Sequence, residues 1–329
     1  MWPYETPVSL RRSLIQKCLC SRATATVSKY LREIKLFFKF QKNENRSLDI
    51  PANLIDVTLY LSYLLDKGNV SSVSVAYSAL KWVHCLLPTN SNPLDASICS
   101  NLVEAEKRRR PSPIKKKEPA SPQLLIDLVN RYACSNATLK DLRLATMCTL
   151  SYVCLLRSEE LLCIKGSDIT VFPDHINIKI PRSKTDIYRQ GQETVIHKSD
   201  KTTCPYHLLL RYLNLANINL SSSVDYIFRN VVYKKKSKRY ILGKRKISYT
   251  SYREWFKQAL KSLGYDPKLY GLHSFRSGGA TTIARNLKDC PSLERLLKIH
   301  GRWRSDTVKD MYIKEHLEQR ISIAKSTGL

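Results

Sequence analysis

A short, basic, proline-rich segment divides this chain of 329 residues into two parts. The segment KRRRPSPIKKKEPASP, residues 107–122, holds four prolines, seven basic residues and no apolar periodicity. Because proline ends helices and like charges repel, this composition is typical of a linker. Its charge could also serve nuclear import or strap the chain onto DNA, although the residues alone favour a solvated linker. We therefore predict one domain on each side, which suits the length of the chain.

The part before the linker is predicted to be helical. Four runs of apolar residues recur at helical spacing between residues 21 and 106. Gly68 and Pro88 stand where the second and third runs end. The sequence thus predicts an N-terminal arm at 1–20 and a compact four-helix domain at 21–106.

The part after the linker, 123–329, is predicted to be mainly α with one small antiparallel β-sheet. Its helical patterns cover residues 139–162, 205–216, 249–263, 276–287 and 292–300. Alternating residues in HINIKIP (175–181) and ETVIH (193–197) predict a hairpin around SKTD. The tract from Lys234 to Lys246 holds eight basic residues and no acidic one. It is predicted either as a mobile loop or as a DNA contact.

The charge of the chain indicates a polyanionic partner. Lys and Arg number 55 against 28 Asp and Glu, a formal net charge of +27, while the hydrophobic content of 43% is ordinary for a folded protein. Such an excess suits DNA, RNA or an anionic membrane surface. A membrane is the least favoured of these, because no apolar run is long enough to span one and the N-terminus lacks a signal peptide's apolar core.

Ten cysteines raise the question of disulfides or a zinc site. Cys18 and Cys20 form the only close pair, and no CxxC pair has zinc-finger spacing. Others, such as Cys85 and Cys148, stand singly among apolar residues. We predict buried free thiols, no metal and an intracellular protein in a reducing compartment.

Six side chains of the second part combine into one chemical pattern: Arg157, Lys184, His273, Arg276, Trp303 and Tyr312. Cleavage of a phosphodiester gathers negative charge on the non-bridging oxygens, which arginine binds bidentately. The reaction also needs a nucleophile and a proton for the leaving oxygen. Since no metal-ligand motif accompanies the six, cationic side chains would have to supply the electrostatics.

Each of these residues taken alone has a simpler explanation. An arginine at a helix end is usually a surface ion pair, a hairpin lysine is usually solvated, and one tyrosine among 18 is more often packing. A tyrosine with a pKa near 10 is also a poor nucleophile without help. His273 and Arg276 would share one face at the start of a helix. The hypothesis therefore rests on the order and spacing of all six residues.

In these residues the chain resembles the tyrosine recombinases, the phage-integrase superfamily that includes Cre, Flp and the Xer proteins. LSYVCLLRSEELLCIKGSDI matches the family's first-arginine box, PRSKTD its hairpin lysine, LHSFRSGGAT its HxxR box and GRWRSDTVKDMY its tyrosine box. Residues 21–110 resemble the family's helical core-binding domain, so the resemblance covers nearly the whole chain. It implies a two-domain, C-shaped clamp on DNA, in which the second domain is a mixed α/β catalytic domain.

The resemblance also implies a role for each of the matching residues. Arg157 and Arg276 would clamp the scissile phosphate, Lys184 would protonate the 5′-oxygen, and His273 would assist proton transfer. Tyr312 would become joined to the DNA 3′-phosphate. The bond energy kept in that linkage means that rejoining needs neither ATP nor a cofactor.

Three further positions take roles from the same resemblance. Trp303 stands where many members have histidine, and would pack and donate one indole N–H hydrogen bond. The segment between Arg276 and Trp303 is longer than is usual, which makes His300 an alternative opposite the phosphate, although the spacing to Tyr312 favours Trp303. Glu160 follows Arg157 by three residues, where the family has a carboxylate.

The implied function is site-specific recombination or integration through a Holliday junction. The partner is double-stranded DNA, bound by a homotetramer on paired sites whose subunits are monomers or dimers when free. The GRWRSD form also resembles recombinases of eukaryotic mobile elements such as Cryptons and DIRS-type elements, which would make the protein nuclear. The candidate DNA-contacting residues are Lys107, Arg108, Arg109, Arg110, Lys115, Lys116, Lys117, Lys234, Lys235, Lys236, Lys238, Arg239, Lys244, Arg245 and Lys246.

Two other functions fit the same residues. A domesticated DNA-binding protein would keep the fold and lose the chemistry, but all six expected side chains are present. A type IB topoisomerase-like enzyme would share the tyrosine chemistry and act as a monomer without sequence choice. The fit of residues 21–110 to a core-binding domain disfavours it.

Overall fold

The computed structural model describes residues 7–68, 70–87, 91–109, 116–183, 186, 191–220, 224–286, 291–314 and 321. The chain forms two compact units, Met1–Lys115 and Lys116–Leu329. The division between them lies inside the segment that was predicted to be a linker.

The first unit is a bundle of helices. Its described helices are α1 Val8–Leu19, α2 Thr24–Asn43, α3 Leu54–Asp66, α4 Val70–His84 and α5 Ser97–Arg109. Helices α2 to α5 bury apolar side chains in one core around Phe37, Tyr60 and Leu80. Helix α1 was not predicted, because its apolar residues Val8 and Leu10 are exposed and no buried stripe marks it.

A buried histidine ties α4 to the segment before α3. The Nε2 atom of His84 accepts a hydrogen bond from the Ala52 amide at 3.0 Å, and its Nδ1 atom lies 2.8 Å from the Leu80 carbonyl oxygen. Nδ1 must donate to that carbonyl, so the neutral ring satisfies both contacts. Burial lowers the pKa of His84.

The second unit is mainly helical with two small antiparallel sheets, so the predicted fold class is confirmed. Its described helices are α6 Pro122–Tyr132, α7 Leu139–Val153, α8 Ser158–Leu162, α9 Pro205–Leu215, α10 Tyr249–Ser262, α11 His273–Asn286, α12 Pro291–His300 and α13 Asp306–Asp310. Its strands are β1 Ile169–Val171, β2 His175–Ile180, β3 Gln192–His197, β4 Arg229–Lys234 and β5 Arg239–Lys246. Helix α7 is buried along most of its length, at the centre of the core.

The predicted hairpin is present as β2 and β3, which are antiparallel with Ile176 opposite Ile196. Strand β1 adds a third strand on the other side of β2, with Ile169 opposite Ile178. These isoleucines point into the main core. The sheet therefore packs on the helical core by one face, as the alternating pattern of the sequence requires.

The second sheet corrects the prediction of a single one. The basic tract between Lys234 and Lys246 contains strand β5, which pairs with β4, so the mobile-loop interpretation is wrong. Val231 and Leu242 anchor the ribbon by packing against the core, and Tyr233 pairs with Tyr240 nearer its tip. The alternation of apolar residues was not recognised in the sequence because most residues of this tract are basic.

The continuous helix predicted for residues 139–162 is broken. Helix α7 ends at Val153, Leu155 takes a left-handed φ of 48°, and the extended Arg157 then caps α8. The apolar pattern runs on through the break because Leu155 and Leu156 are both buried. Periodicity alone could therefore not reveal it.

Both ends of the predicted linker belong to structured elements. Residues 107–109 are the last turn of α5. At the other end, the amide of Glu118 donates to the carbonyl of Leu269, and that of Ala120 donates to Ser274, both at 2.8 Å. This end is thus fixed to the second unit, against the start of α11.

The nine cysteines in the described residues are all free thiols. Cys99, Cys148, Cys154 and Cys204 are buried, but Cys85 is exposed, so its predicted burial is wrong. No helix within the described ranges is long and apolar enough to cross a membrane. The same residues contain no group of three or more His, Cys, Asp or Glu side chains arranged to hold a metal ion.

Candidate active site

The break between α7 and α8 presents Arg157. Its backbone amide donates to Oε2 of Glu160 at 2.9 Å, and its Nη1 atom donates to Oε1 at 2.7 Å. In both bonds Arg157 is the donor and the Glu160 carboxylate accepts, and the backbone bond caps the first turn of α8. The Arg157 side chain keeps 14% of its surface exposed, whereas that of Glu160 keeps 3%. Arg157 therefore lies at the edge of the site, where a ligand can reach it.

Glu160 is the one carboxylate at the centre of three arginines. Its Oε2 atom lies 3.1 Å from Nη2 of Arg302 and 3.9 Å from Nη1 of Arg276. Burial alone would raise the pKa of Glu160, but Arg302 and Arg157 together lower it below its ordinary value. The carboxylate is therefore ionised and pairs with buried positive charge.

Arg276 lies on the first turn of α11 and has no exposed surface. Its Nη1 donates to the carbonyl of Leu155 and its Nη2 to that of Gly301. Its guanidinium carbon lies 4.9 Å from the ring centre of Trp303 and 5.0 Å from that of Tyr312. Burial, followed by the charges of Arg157 and Arg302, lowers the pKa of Arg276 to about 10, so it stays protonated at neutral pH.

His273 begins α11 and faces the tyrosine. Its Nε2 atom lies 3.0 Å from the phenol oxygen of Tyr312, within hydrogen-bond distance. With Nε2 unprotonated, the phenol donates to the imidazole, which is the arrangement of a nucleophile and its base. His273 and Arg276 share one face of the helix, as their spacing predicted.

Trp303 is buried between the arginine and the tyrosine. Its ring centre lies 5.3 Å from that of Tyr312. The indole N–H, predicted to donate one hydrogen bond, has no hydrogen-bond partner among the described residues. A Cβ atom on Gly301 would lie 2.0 Å from the Trp303 ring, so a residue without a side chain is required beside it.

His300, the alternative to Trp303, contacts a different group. Its Nε2 atom lies 2.8 Å from the carbonyl oxygen of Val153, at the end of α7. Burial lowers the pKa of His300. The structure thus brings Trp303 against Tyr312, while His300 hydrogen-bonds the backbone that precedes the break.

A threonine holds the tyrosine segment on α11. The hydroxyl of Thr281 donates to the carbonyl of Tyr312 at 3.4 Å and accepts from the amide of Lys314 at 3.0 Å. Lys314 also forms an ion pair with Glu118. Thr281 was not among the predicted site residues, because its contact joins residues 31 positions apart and no local pattern indicates it.

Arg302 is a second site residue that the sequence did not predict. It is buried between Gly301 and Trp303, and donates to Glu160 and to the carbonyls of Cys154 and Leu155. Arg302 does lie in the segment GRWRSD, which was matched to the tyrosine box. The sequence does not indicate, however, that the side chain of this arginine is buried.

Lys184 lies outside the described residues, as do Arg110 and Lys115. The other predicted DNA-contacting residues are at the end of α5, at the start of the second unit and on the β4–β5 ribbon. On the ribbon, Lys246 is turned toward the protein, 3.5 Å from Glu159 and 3.4 Å from the thiol of Cys163. The exposed cations of the ribbon are Lys234, Lys235, Lys236, Lys238, Arg239, Lys244 and Arg245.

Arg157, Glu160, His273, Arg276, Trp303 and Tyr312 therefore meet in one cluster, from four segments of the chain. A phenol beside a base, next to forked cations, can attack a phosphoryl group and stabilise the charge that develops.

Comparison with the sequences of known proteins finds a similar recombinase. The integrase/recombinase XerD homolog of Selenomonas ruminantium is 23% identical over 270 residues, which are 81% of this chain and 75% of that protein. No family model matches the chain.

Solved structures of integrases and recombinases share the fold. A Tn1549 transposon integrase in complex with transposon right end DNA superposes with a TM-score of 0.60 at 12% identity, covering 96% of this chain and 98% of the other. The XerH site-specific recombinase bound to palindromic difH substrate gives 0.59 at 13%, covering 91% and 79%. A lambda integrase dimer bound to a COC′ core site gives 0.55 at 14%, covering 93% and 76%.

Proposed function

We propose that this chain is a tyrosine recombinase, in keeping with its likeness to the XerD homolog, and that it is a site-specific DNA recombinase that cuts and rejoins DNA through Tyr312. The observation that carries this proposal is the phenol oxygen of Tyr312, 3.0 Å from Nε2 of His273 and beside the guanidinium of Arg276. A nucleophile, a base and a buried cation meet at one point.

Arg157 and Arg276 bind the scissile phosphate in turn. Arg157 is the exposed member, so it meets the phosphate first. The guanidinium of Arg276 is covered by two aromatic rings, those of Trp303 and Tyr312. The phosphate therefore reaches Arg276 when the Tyr312 ring moves off it. Both guanidiniums then stabilise the negative charge of the pentacoordinate transition state.

In the cleavage step the Tyr312 oxygen attacks phosphorus, and the bond from phosphorus to the 5′-oxygen breaks. The phenol proton passes to Nε2 of His273, whose position fits that transfer. The leaving 5′-oxygen takes a proton from Lys184, a role that rests on the resemblance of PRSKTD to the family's hairpin lysine. The products are a 3′-phosphotyrosine and a free 5′-hydroxyl.

Rejoining is the reverse reaction with a different 5′-hydroxyl. The phosphotyrosine bond conserves the energy of the broken one, so the exchange needs no ATP. Two rounds of exchange pass through a Holliday junction, in a homotetramer assembled on paired sites. The substrate sites are those of a mobile element, and in a eukaryotic host the protein acts in the nucleus.

The basic residues hold the DNA by its phosphates. The largest group is the β4–β5 ribbon, whose seven exposed cations have no acidic partner among the described residues. A two-stranded ribbon has the width of the DNA major groove. Each phosphate that these residues neutralise adds roughly −0.9 to the slope of log K against log salt.

The test is covalent capture on DNA. Wild type and Tyr312→Phe are incubated in EDTA with sheared genomic DNA of the source organism, denatured in SDS, and the DNA that stays bound is sequenced. We expect adducts with wild type alone, clustered at one sequence. Adducts scattered over all sequences would instead assign a topoisomerase-like activity. Tight, salt-sensitive binding without adducts would assign a DNA-binding protein that has lost the chemistry.

A further inference from the structure

Arg302 takes a backbone conformation that favours glycine. Its φ of 56° lies in the left-handed region, which disfavours residues with a Cβ atom. The side chain is nevertheless almost wholly buried, with 1% of its surface exposed. An arginine held in this way must contribute something that glycine could not.

The guanidinium of Arg302 binds the break between α7 and α8. Its Nη2 donates to the carbonyl of Leu155 at 2.7 Å and to that of Cys154 at 3.2 Å, and its Nη1 donates to the carbonyl of His300 at 2.9 Å. The Leu155 carbonyl also accepts from Arg276. Arg302 and Arg276 therefore hold the same turn of backbone from two directions.

The same guanidinium shares a carboxylate with the two arginines of the phosphate clamp. Nη2 of Arg302 lies 3.1 Å from Oε2 of Glu160, which is 3.9 Å from Arg276, while Oε1 lies 2.7 Å from Arg157. Coulombic attraction between such buried groups is strong because little water screens it. Without Arg302, the whole attraction of Glu160 would fall on Arg157 and Arg276.

We propose that Arg302 is a positioning residue of the cleavage site: it takes up the charge of Glu160, so that Arg157 and Arg276 remain available to the scissile phosphate. The role rests on the proposed function, because the clamp is defined by it. The net charge of Arg157, Arg276, Arg302 and Glu160 together is +2, and without Arg302 the other three groups carry +1.

A purely structural role makes a different prediction. If Arg302 only pinned the carbonyls of Cys154 and Leu155, removal of the Glu160 charge would not repair its loss. Under our proposal it does, since Glu160→Gln releases Arg157 and Arg276 from the unbalanced carboxylate. The two explanations therefore differ in one measurable result: Glu160→Gln recovers the rate lost in the Arg302 variant under our proposal, and does not recover it if Arg302 only holds the backbone.

The experiment compares Arg302→Gly, Glu160→Gln and the double variant on the target DNA, by the single-turnover rate of covalent adduct formation. Glycine adopts the left-handed φ without strain, so Arg302→Gly should fold. Because small displacements of a binding group cost about 100-fold in rate, we expect Arg302→Gly to slow cleavage roughly 10- to 100-fold with little change in DNA affinity. Adding Glu160→Gln should recover most of that loss.

Arg304→Gly is the matched control, since it removes an exposed arginine two residues away. It should lower DNA affinity and leave the rate at saturation unchanged. A double variant that is as slow as Arg302→Gly, or slower, would overturn the proposal. Should Arg302→Gly fail to fold, Arg302→Asn tests the same coupling, because asparagine also removes the charge and tolerates the left-handed φ.

A second readout separates this proposal from the proposed function. Binding of inorganic vanadate to the free protein is measured by calorimetry for the same variants. We expect weaker binding in Arg302→Gly and recovery in the double variant. If wild type forms no DNA adducts, the proposed function fails, while the vanadate series still decides whether Arg302 positions the clamp. Equal vanadate affinity in all variants would refute it.

Discussion

Two arginines of the second unit are completely buried, yet only one of them lies in the candidate active site. Arg143 on α7 and Arg276 on α11 both have no exposed surface. Each has its guanidinium carbon over a tryptophan ring, Arg143 at 4.3 Å from Trp255 and Arg276 at 4.9 Å from Trp303. Burial lowers the pKa of both to about 10.

Their neighbours differ. Arg143 donates to the backbone carbonyl of Arg229, which ties α7 to β4. Arg276 has Glu160 at 3.9 Å and the Tyr312 ring at 5.0 Å. Burial, a tryptophan ring beside the guanidinium and a lowered pKa are thus shared by an arginine that ties two elements together and by one in the candidate active site. What distinguishes the second is the presence of a nucleophile and a charge-balancing network.

The largest effect is expected from substituting the two arginines themselves. Arg276→Lys removes the fork from the phosphate clamp, so adduct formation should fall about 100- to 1,000-fold, as when one oxyanion donor is lost. Arg143→Lys should lower the melting temperature and leave the rate per folded molecule unchanged. Single-turnover rates and calorimetric melting of both variants test this. If Arg143→Lys lost as much rate as Arg276→Lys, the two arginines would not differ in their roles as we expect.

The next effect concerns the tryptophan beside Arg276. Gly301→Ala places a methyl group against the Trp303 ring, which must shift together with Arg276 and Tyr312. We expect cleavage to slow by on the order of 10- to 100-fold. Gly271→Ala is the control, since its Cβ atom would lie 3.8 Å from Lys117, an ordinary contact. An active Gly301→Ala enzyme would mean that the ring does not position the arginine.

The next prediction concerns the first unit, where the buried His84 should make the stability of the fold depend on pH. His84 is buried and neutral, and burial lowers its pKa from the ordinary 6.5. The unfolded chain therefore binds more protons than the folded one below that value, and stability should fall as pH drops through 6.5 and beyond. Melting temperatures between pH 7.5 and 5.5 measure this. In His84→Gln the contribution disappears, and an unchanged pH slope would show that another group causes it.

The smallest effect is expected on DNA affinity when the Tyr312 ring is removed. The Tyr312 ring lies over Arg276, a contact of the cation–π kind. Tyr312→Ala uncovers the guanidinium and should bind target DNA a few-fold more tightly, whereas Tyr312→Phe keeps the ring and should bind like wild type. Equilibrium binding at fixed salt compares the three proteins. Weaker binding by Tyr312→Ala would mean that the phenol does not cover the arginine.

The fold class and most of the cluster could be predicted from sequence because they depend on local boxes. HxxR places His273 and Arg276 on one helical face, and the spacing from Arg157 to Glu160 gives a cap and its carboxylate. These patterns need no knowledge of distant contacts. The roles of these residues in cleavage stay predictions.

The parts that could not be predicted depend on tertiary contacts. The break at Leu155 is invisible because both leucines around it are buried, as in a continuous helix. Arg302 turns inward only because three carbonyls and Glu160 converge there. Thr281 acts on a segment that is far away in sequence. Such residues are set by what the fold brings together.

The measurement that most directly tests the account is the identity of the residue joined to DNA. Wild-type adducts on the captured target are digested with nuclease and trypsin, and the modified peptide is sequenced by mass spectrometry. The account predicts a nucleotide remnant on Tyr312, in the peptide Asp310–Lys314, and none in Tyr312→Phe. A remnant on another of the 18 tyrosines, or adducts that persist in the variant, would contradict it.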